Sequence, residues 1–193
     1  MTLQNKFIND YRKLAALLES GAAFTAFDTE TTGLKTDAAR IIEIGAVQFN
    51  RDGIIGRFEM LVNPLQSIPP ECTAVNHITD SMVSDKPVIS KILPQFIDFL
   101  GDSIIVAHNA RFDLNMLAAE LERSALPPNK NRVIDTLALC KWAYPEAGKY
   151  RQTFIAERLG IRITDAHRAA DDAFVCGNIF LRCIQDTAER QKS

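Results

Sequence analysis

The chain has 193 residues, 47% of them apolar and 24% charged, with 22 Lys and Arg against 24 Asp and Glu for a formal net charge of −2. That length fits one domain with a substantial core, since domains commonly run to roughly 100–200 residues. The ordinary composition excludes disorder and repeat arrays, and the near-neutral charge excludes a protein that grips long stretches of nucleic acid by bulk basicity.

No apolar run near the N-terminus is long enough for a signal peptide, and no later segment approaches a membrane span. A cytoplasmic protein without membrane contact is therefore expected. The cysteines, Cys72, Cys140, Cys176 and Cys183, form no Cys-x-x-Cys pair and read as reduced thiols. Leu14, Leu17 and Leu18 share one side of a predicted amphipathic helix over 9–19, stopped at Gly21. Three β-rich apolar runs follow, over 23–27, 41–49 and 55–62, the last two joined by the turn signal Asn50-Arg51-Asp52-Gly53. An irregular crossing occupies 63–70. The pattern then predicts a helix over 87–100 ending at Gly101, a strand over 103–107 and a helix over 110–123. A short strand at 133–134 precedes helices over 136–143, 153–159 and 169–185. Strands come first as a meander and then alternate with helices, which describes an α/β domain: one mixed sheet with helices packed on it. No linker or repeat divides it, so a single domain over 1–193 is expected.

Several carboxylates break these patterns. The run Phe24-Thr-Ala-Phe-Asp-Thr-Glu carries an apolar strand straight into Asp28 and Glu30. Residues two apart on a strand point the same way, about 7 Å apart. Two like charges there repel, and burial sharpens the repulsion. A hard divalent cation with oxygen ligands between them resolves it, and a solvated pair at a fraying strand end is the other reading. In the helix predicted from residue 110, with Asn109 as its cap, Asp113 falls in the first turns on the side that continues as Met116, Leu117 and Leu121. It reads either as a site acid or as a carboxylate answering the helix dipole. Asp172 precedes Val175, Cys176, Ile179 and Cys183 at helical spacing and so lies on their apolar stripe, whereas Asp171 is turned about 100° away. His167 belongs to the entering loop, within reach of Asp172, and is a candidate for acid–base work rather than a structural histidine. Four acids on separate elements suggest a carboxylate-walled metal site, the arrangement with which nucleases attack phosphodiesters using two ions about 3.5–4 Å apart.

The segments Phe27-Asp-Thr-Glu-Thr-Thr-Gly-Leu34, His108-Asn-Ala-Arg-Phe-Asp113 and His167-Arg-Ala-Ala-Asp-Asp172 resemble the three exonuclease motifs of the DEDDh 3′–5′ exonucleases. That superfamily includes the proofreading epsilon subunits of bacterial DNA polymerase III and ribonuclease T. Arg40-Ile-Ile-Glu-Ile-Gly-Ala-Val47 and Val133-Ile-Asp-Thr136 extend the likeness, which covers roughly 24–180 and leaves the N-terminal helix, within 1–22, outside. The resemblance implies an RNase H-like fold, a five-stranded mixed sheet flanked by helices. By position it makes Asp28, Glu30, Asp113 and Asp172 the ligands of two Mg²⁺ or Mn²⁺ ions and His167 the general base. It places Thr31 and Leu34 against the 3′-terminal nucleotide, and Phe112 matches an aromatic position that reads equally as core. The implied reaction is stepwise release of nucleoside 5′-monophosphates from a DNA 3′ end in proofreading or repair, with a DNA polymerase or repair complex as partner. A 3′–5′ exoribonuclease with the same site, or a non-catalytic nucleic-acid-binding or polymerase-docking module, are the alternatives.

Two departures stand out. Relatives often read His-Gly-Ile-Thr where this chain has Asn76-His77-Ile78-Thr79, which makes His77 a candidate substrate contact. Many carry leucine where Gln152 stands. Neither departure is expected to touch the metal ligands, so both point to substrate choice. The charge is also uneven: residues 123–168 hold nine Lys and Arg against four Asp and Glu, so the rest of the chain is strongly acidic. Two divalent ions would cancel the four site acids, which suits an enzyme that takes a few nucleotides at one end.

Overall fold

The computed structural model describes residues 3–164 and 167–190, so the outermost residues of the expected 1–193 domain lie outside this description. The chain enters through a two-residue strand, β1 (Lys6–Phe7), and a 3-10 turn, Tyr11–Lys13, that runs into α1 (Leu14–Glu19). The meander follows as β2 (Phe24–Thr31), β3 (Ile41–Asn50) and β4 (Gly53–Leu61), antiparallel throughout. At the β3–β4 turn the Asn50 side chain accepts a hydrogen bond from the Asp52 N–H at 2.8 Å, a local bond that Asn supplies readily. Two short helices, α2 (Pro70–Asn76) and α3 (Asp80–Val83), lie in a stretch where the periodicity predicts none. At seven and four residues they are too short to show one. After them come α4 (Ile89–Leu100), β5 (Ile104–Ala107), α5 (Arg111–Arg123) and β6 (Arg132–Asp135). The chain ends in α6 (Thr136–Ala143), α7 (Gln152–Arg158) and α8 (Ala169–Arg190).

The sheet has six strands, in the order β1-β6-β5-β2-β3-β4, where the resemblance implies five. The sixth is β1, parallel to β6 and extended by the Ile8 N–H to the Val133 carbonyl at 2.8 Å. Two residues carry no readable alternation, so only the edge of β6 defines them. β5 and β6 are parallel to β2, which makes the sheet mixed, as expected. A second difference concerns Asn109, which does not cap α5. It sits in the left-handed region, φ 58°, at the sharp passage from β5 into α5, and Ala110 occupies the cap position. The Asn109 N–H donates to Asp135 Oδ1, and the same oxygen caps α6 by accepting from the Leu137 N–H at 2.9 Å.

β2 lies inside the sheet with both faces covered, which explains its unbroken apolar run. Phe24 and Ala26 face α1, α6, α7 and α8, whereas Phe27 faces α4 and α5. The Phe24 ring stacks on Phe49 at 5.8 Å and meets Phe180 of α8 at 4.9 Å. Val175, Ile179, Phe180 and Ile184 of α8 are all buried in this layer, each worth roughly 1.5–3 kcal/mol.

Two glycines allow α8 to lie this close. A Cβ on Gly177 would meet Phe49 at 3.2 Å and Ala26 at 3.4 Å. A Cβ on Gly45 would come within 2.1 Å of the Ala169 carbonyl carbon and the Ala170 nitrogen, the backbone of the first turn of α8. Gly45 pairs with Asp28 across the β2–β3 ladder, so this contact sets how near α8 begins to the acids of β2. Backbone cannot move aside as a flexible side chain can. Gly45→Ala is therefore expected to lower stability by about 3 kcal/mol or more, read as a lower urea midpoint at unchanged slope.

Candidate active site

Strand alternation puts Asp28 and Glu30 on the face of β2 that carries Phe24 and Ala26, the face that α8 covers. Asp172, in the first turn of α8, meets them there. One oxygen from each of the three carboxylates lies within 4.8 Å of the others, and all three residues are half-buried. Asp113 arrives from the other layer, in the first turn of α5, and is 3% exposed. Its Oδ1 accepts from the Thr29 N–H at 3.1 Å and from Thr29 Oγ1 at 2.8 Å. Thr29 stands between Asp28 and Glu30, so Asp113 is tied to the strand that carries them without joining the three-acid group.

Burial and mutual repulsion raise the carboxyls. Asp28 is held well above the usual carboxylate range, first by burial and then by the charges of Asp113, Asp172, Glu30 and Glu43. Burial pushes Glu30 up to about 8 against an opposing hydrogen bond from Asn76. Asp113 rises to about 7, again by burial, although its bonds from Thr29 pull the other way. Asp172 is raised by burial and drawn back down by the His167 N–H, the His167 charge and the Gln152 amide.

His167 is exposed, in the left-handed region at φ 66°, and its N–H donates to Asp172 Oδ2 at 2.9 Å. The next residue fixes the loop. Arg168 Nη2 lies 2.6 Å from Glu43 Oε1, and the Ala169 N–H donates to Glu43 Oε2 at 2.9 Å. Glu43 is fully buried and opposite Glu30 in the ladder. Arg168 therefore pins the third motif to β3 through an ion pair whose loss would strand a buried charge. An acid inside the apolar run 41–49 was the signal for Glu43. Its partner, 125 residues away, left none.

The residues matched to substrate contacts lie around the acids. Thr31 is buried and its Oγ1 donates to the Gly33 carbonyl at 2.7 Å, while Leu34 is 82% exposed. Their loop is braced by Arg40, which joins Thr32 through backbone and side chain and grips the fully buried Glu120 of α5 at 2.8 Å. Phe112 packs against the α4–α5 core layer. His77 is exposed at the end of α2 with φ 60°, a left-handed conformation that suits the glycine relatives have there. Its neighbour Asn76 is the residue that reaches Glu30. Gln152 likewise reaches a site acid: its Nε2 donates to Asp172 Oδ1 at 2.9 Å. The expectation that neither departure touches the site acids is thus corrected. Both are amides on loops or helix ends whose partners only the tertiary fold supplies.

Residues 25–180 match the exonuclease family RNase_T. The chain belongs to that exonuclease family. This exonuclease is 46% identical over 170 residues to the DNA polymerase III subunit epsilon of Treponema pallidum, covering 87% of this chain and 79% of that protein. It is 38% identical over 168 residues to the DNA polymerase III PolC-type of Staphylococcus aureus, where the match covers 87% of this chain and 12% of the relative's length. Among solved structures, Exonuclease X in complex with 5′ overhanging duplex DNA superposes with a TM-score of 0.68 at 29% identity, over 86% of this chain and 93% of that one. E. coli Exonuclease I in complex with a dA16 oligonucleotide shares the fold, with a TM-score of 0.75 at 18% identity over 88% of this chain and 42% of that one. Among the described residues of this exonuclease, no helix is long and apolar enough to cross a membrane.

The raised carboxyls have a measurable consequence. The folded state holds a proton on Glu30 up to about pH 8, whereas the unfolded chain loses it near the ordinary carboxylate value. Between those limits the folded state binds more protons, so stability falls as pH rises. In EDTA, Glu30→Gln is expected to melt above the wild type at pH 8.5, with the gap narrowing toward pH 5. A gap that stays constant with pH would exclude Glu30 as its source.

Proposed function

We propose that the chain is a metal-dependent 3′–5′ exonuclease of the DEDDh type, which removes nucleotides from DNA 3′ ends as nucleoside 5′-monophosphates. The observation that carries this reading is the convergence of Asp28, Glu30 and Asp172 within 4.8 Å, with His167 bonded through its backbone to one of them. Three half-buried carboxylates, all raised by burial and with Asp28 raised further by the charges of the other two, form an all-oxygen donor set, which fits a hard divalent cation such as Mg²⁺ or Mn²⁺. Asp28, Glu30 and Asp172 would hold one ion; Asp28 and, more loosely, Asp113 would hold a second. When bound, such ions supply positive charge for an attacking water and for the leaving 3′ oxygen.

The protein's own groups do the rest. Asp172 orients the loop of His167 through the 2.9 Å bond to its N–H, and the Glu43–Arg168 pair fixes that loop to β3. A ring nitrogen of His167 takes the proton from the attacking water, and its exposure lets it return that proton to solvent. Leu34, exposed beyond the first motif, meets the terminal base as an apolar wedge, and Thr31 and the exposed His77 supply the further contacts. Of the basic residues 123–168, Arg168 is committed to Glu43, whereas Arg151 is exposed and available to phosphate.

DNA is favoured over RNA because the 46% relative is a DNA polymerase III subunit and the structure of Exonuclease X holds duplex DNA. The same relative supports a polymerase as partner. The test uses matched 5′-labelled DNA and RNA oligonucleotides, single- and double-stranded, with Mg²⁺, Mn²⁺ or EDTA. DNA is expected to shorten in single-nucleotide steps with either metal and to stay intact in EDTA, and faster loss of RNA would reassign the substrate. Asp28→Asn is expected to abolish cleavage while remaining folded. His167→Ala is expected to lower kcat by about 10²- to 10⁴-fold while keeping the Mn²⁺-induced rise in melting temperature. A His167→Ala protein at the wild-type rate would remove the histidine from the mechanism.

A further inference from the structure

Resting on the metal-dependent reading above, we infer that Gln152 is a positioning residue that locks the Asp172 carboxylate in the orientation that binds the cation. Gln152 opens α7, and its Nε2 donates to Asp172 Oδ1 at 2.9 Å and to the Asp172 carbonyl at 3.1 Å. Both partners only accept, so the amide nitrogen, with its two protons, must be the end that faces them. The other carboxylate oxygen, Oδ2, takes the His167 N–H at 2.9 Å. The carboxylate is thereby held at both oxygens, and its rotation is stopped. Each oxygen keeps lone-pair capacity for a cation.

Gln152 is itself well placed for this task. Two residues earlier, the Tyr150 carbonyl lies 2.7 Å from His108 Nε2, and the other ring nitrogen of His108 is 2.9 Å from Thr136 Oγ1. Burial lowers the proton affinity of His108, so the neutral ring donates from Nε2 to the carbonyl and accepts from Thr136 at Nδ1. The Tyr150 hydroxyl closes back on the Tyr144 and Pro145 carbonyls at 2.9 Å each. The segment leading into α7 is therefore clamped to the second motif, and Gln152 extends the clamp to the third. Leucine, which many relatives carry here, would fill the space and leave Oδ1 free to turn. This chain has an additional restraint on one metal ligand, distinct from any contact to substrate.

Residues that orient a metal ligand typically change metal affinity or activity by about 10–100-fold when removed. The test measures Mn²⁺ binding by electron paramagnetic resonance of the free ion, alongside kcat and KM on a 5′-labelled DNA oligonucleotide. It compares wild type with Gln152→Leu and Gln152→Met, both close in volume and without the amide. Each variant is expected to bind Mn²⁺ on the order of tenfold more weakly. The metal concentration for half-maximal activity should rise in step, with KM for the oligonucleotide unchanged. Wild-type Mn²⁺ affinity in both variants overturns the role, as does a rise in KM alone, which would place Gln152 on the substrate. If wild type itself binds no Mn²⁺, the metal-dependent reading fails and this role fails with it; the wild-type control separates the two failures.

Discussion

The first turn of α8 lies directly on the backbone of β3, and the rest of the site depends on that approach. Gly45 makes the contact possible, because any Cβ there would overlap the peptide between Ala169 and Ala170. Glu43, two residues before Gly45 on the same strand, holds the approach in place by accepting from the Arg168 side chain and the Ala169 N–H. Asp172, one turn further along the helix, then reaches Asp28 and Glu30. The sheet spacing and the absence of one side chain thus decide whether three carboxylates form a site or remain apart.

Those carboxylates oppose the arrangement that brings them together. Each is half-buried and raised by burial, and the charges of Asp172 and Glu30 raise Asp28 further, so their convergence is unfavourable until protons or cations compensate it. The surrounding fold supplies the restraint. Asp113 is fixed by Thr29 from the far layer, Glu30 is met by Asn76 at the end of α2, and Asp172 is held by Gln152 and the His167 backbone. Apolar packing of α8 against Phe24, Phe49 and Ala26 offsets the repulsion at a distance from it. The same preorganisation suits the metal-dependent role we propose for the three acids.

The exposed features around the acids follow from the same frame. The first motif runs off the end of β2 into a loop braced by Arg40, which joins Thr32 and Glu120, and by Arg123, which donates to the Ala39 carbonyl. Leu34 is the large apolar residue of that loop that points to solvent, 82% exposed. α2 ends in His77 with a left-handed backbone, with Asn76 buried and His77 exposed. In the function we propose, a few nucleotides at one strand end meet Leu34 and His77 rather than a long basic track.

Much of this was legible along the chain. Hydrophobic period placed the meander, β5, β6, α4, α5 and α8 within a few residues, because those elements are long or fully buried and their patterns are strong. Asp172 was separable from Asp171 because a helix has a fixed angular period, and Asp28 and Glu30 could be put on one face because a strand has a period of two. The elements that escaped were β1, α2, α3 and a 3-10 turn at Pro145–Ala147, too short to carry a period of either kind. Asn109 was misassigned as a cap because its tolerance of the left-handed region and its capping preference come from the same short polar side chain.

By itself, then, the sequence determined which side chains face inward on each element, and with that the acids that lie on the wrong side of an apolar pattern. Only the tertiary structure decided which of them meet: Asp28, Glu30 and Asp172 converge, and Asp113, bonded to Thr29, adds its charge to Asp28. It also decided that Glu43 answers Arg168 and that Gln152 answers Asp172, pairs separated by 125 and 20 residues. Local periodicity reports the direction of a side chain relative to its own helix or strand. Contact between elements depends on how closely the backbones approach, and here that distance is set where Gly45 passes under the start of α8.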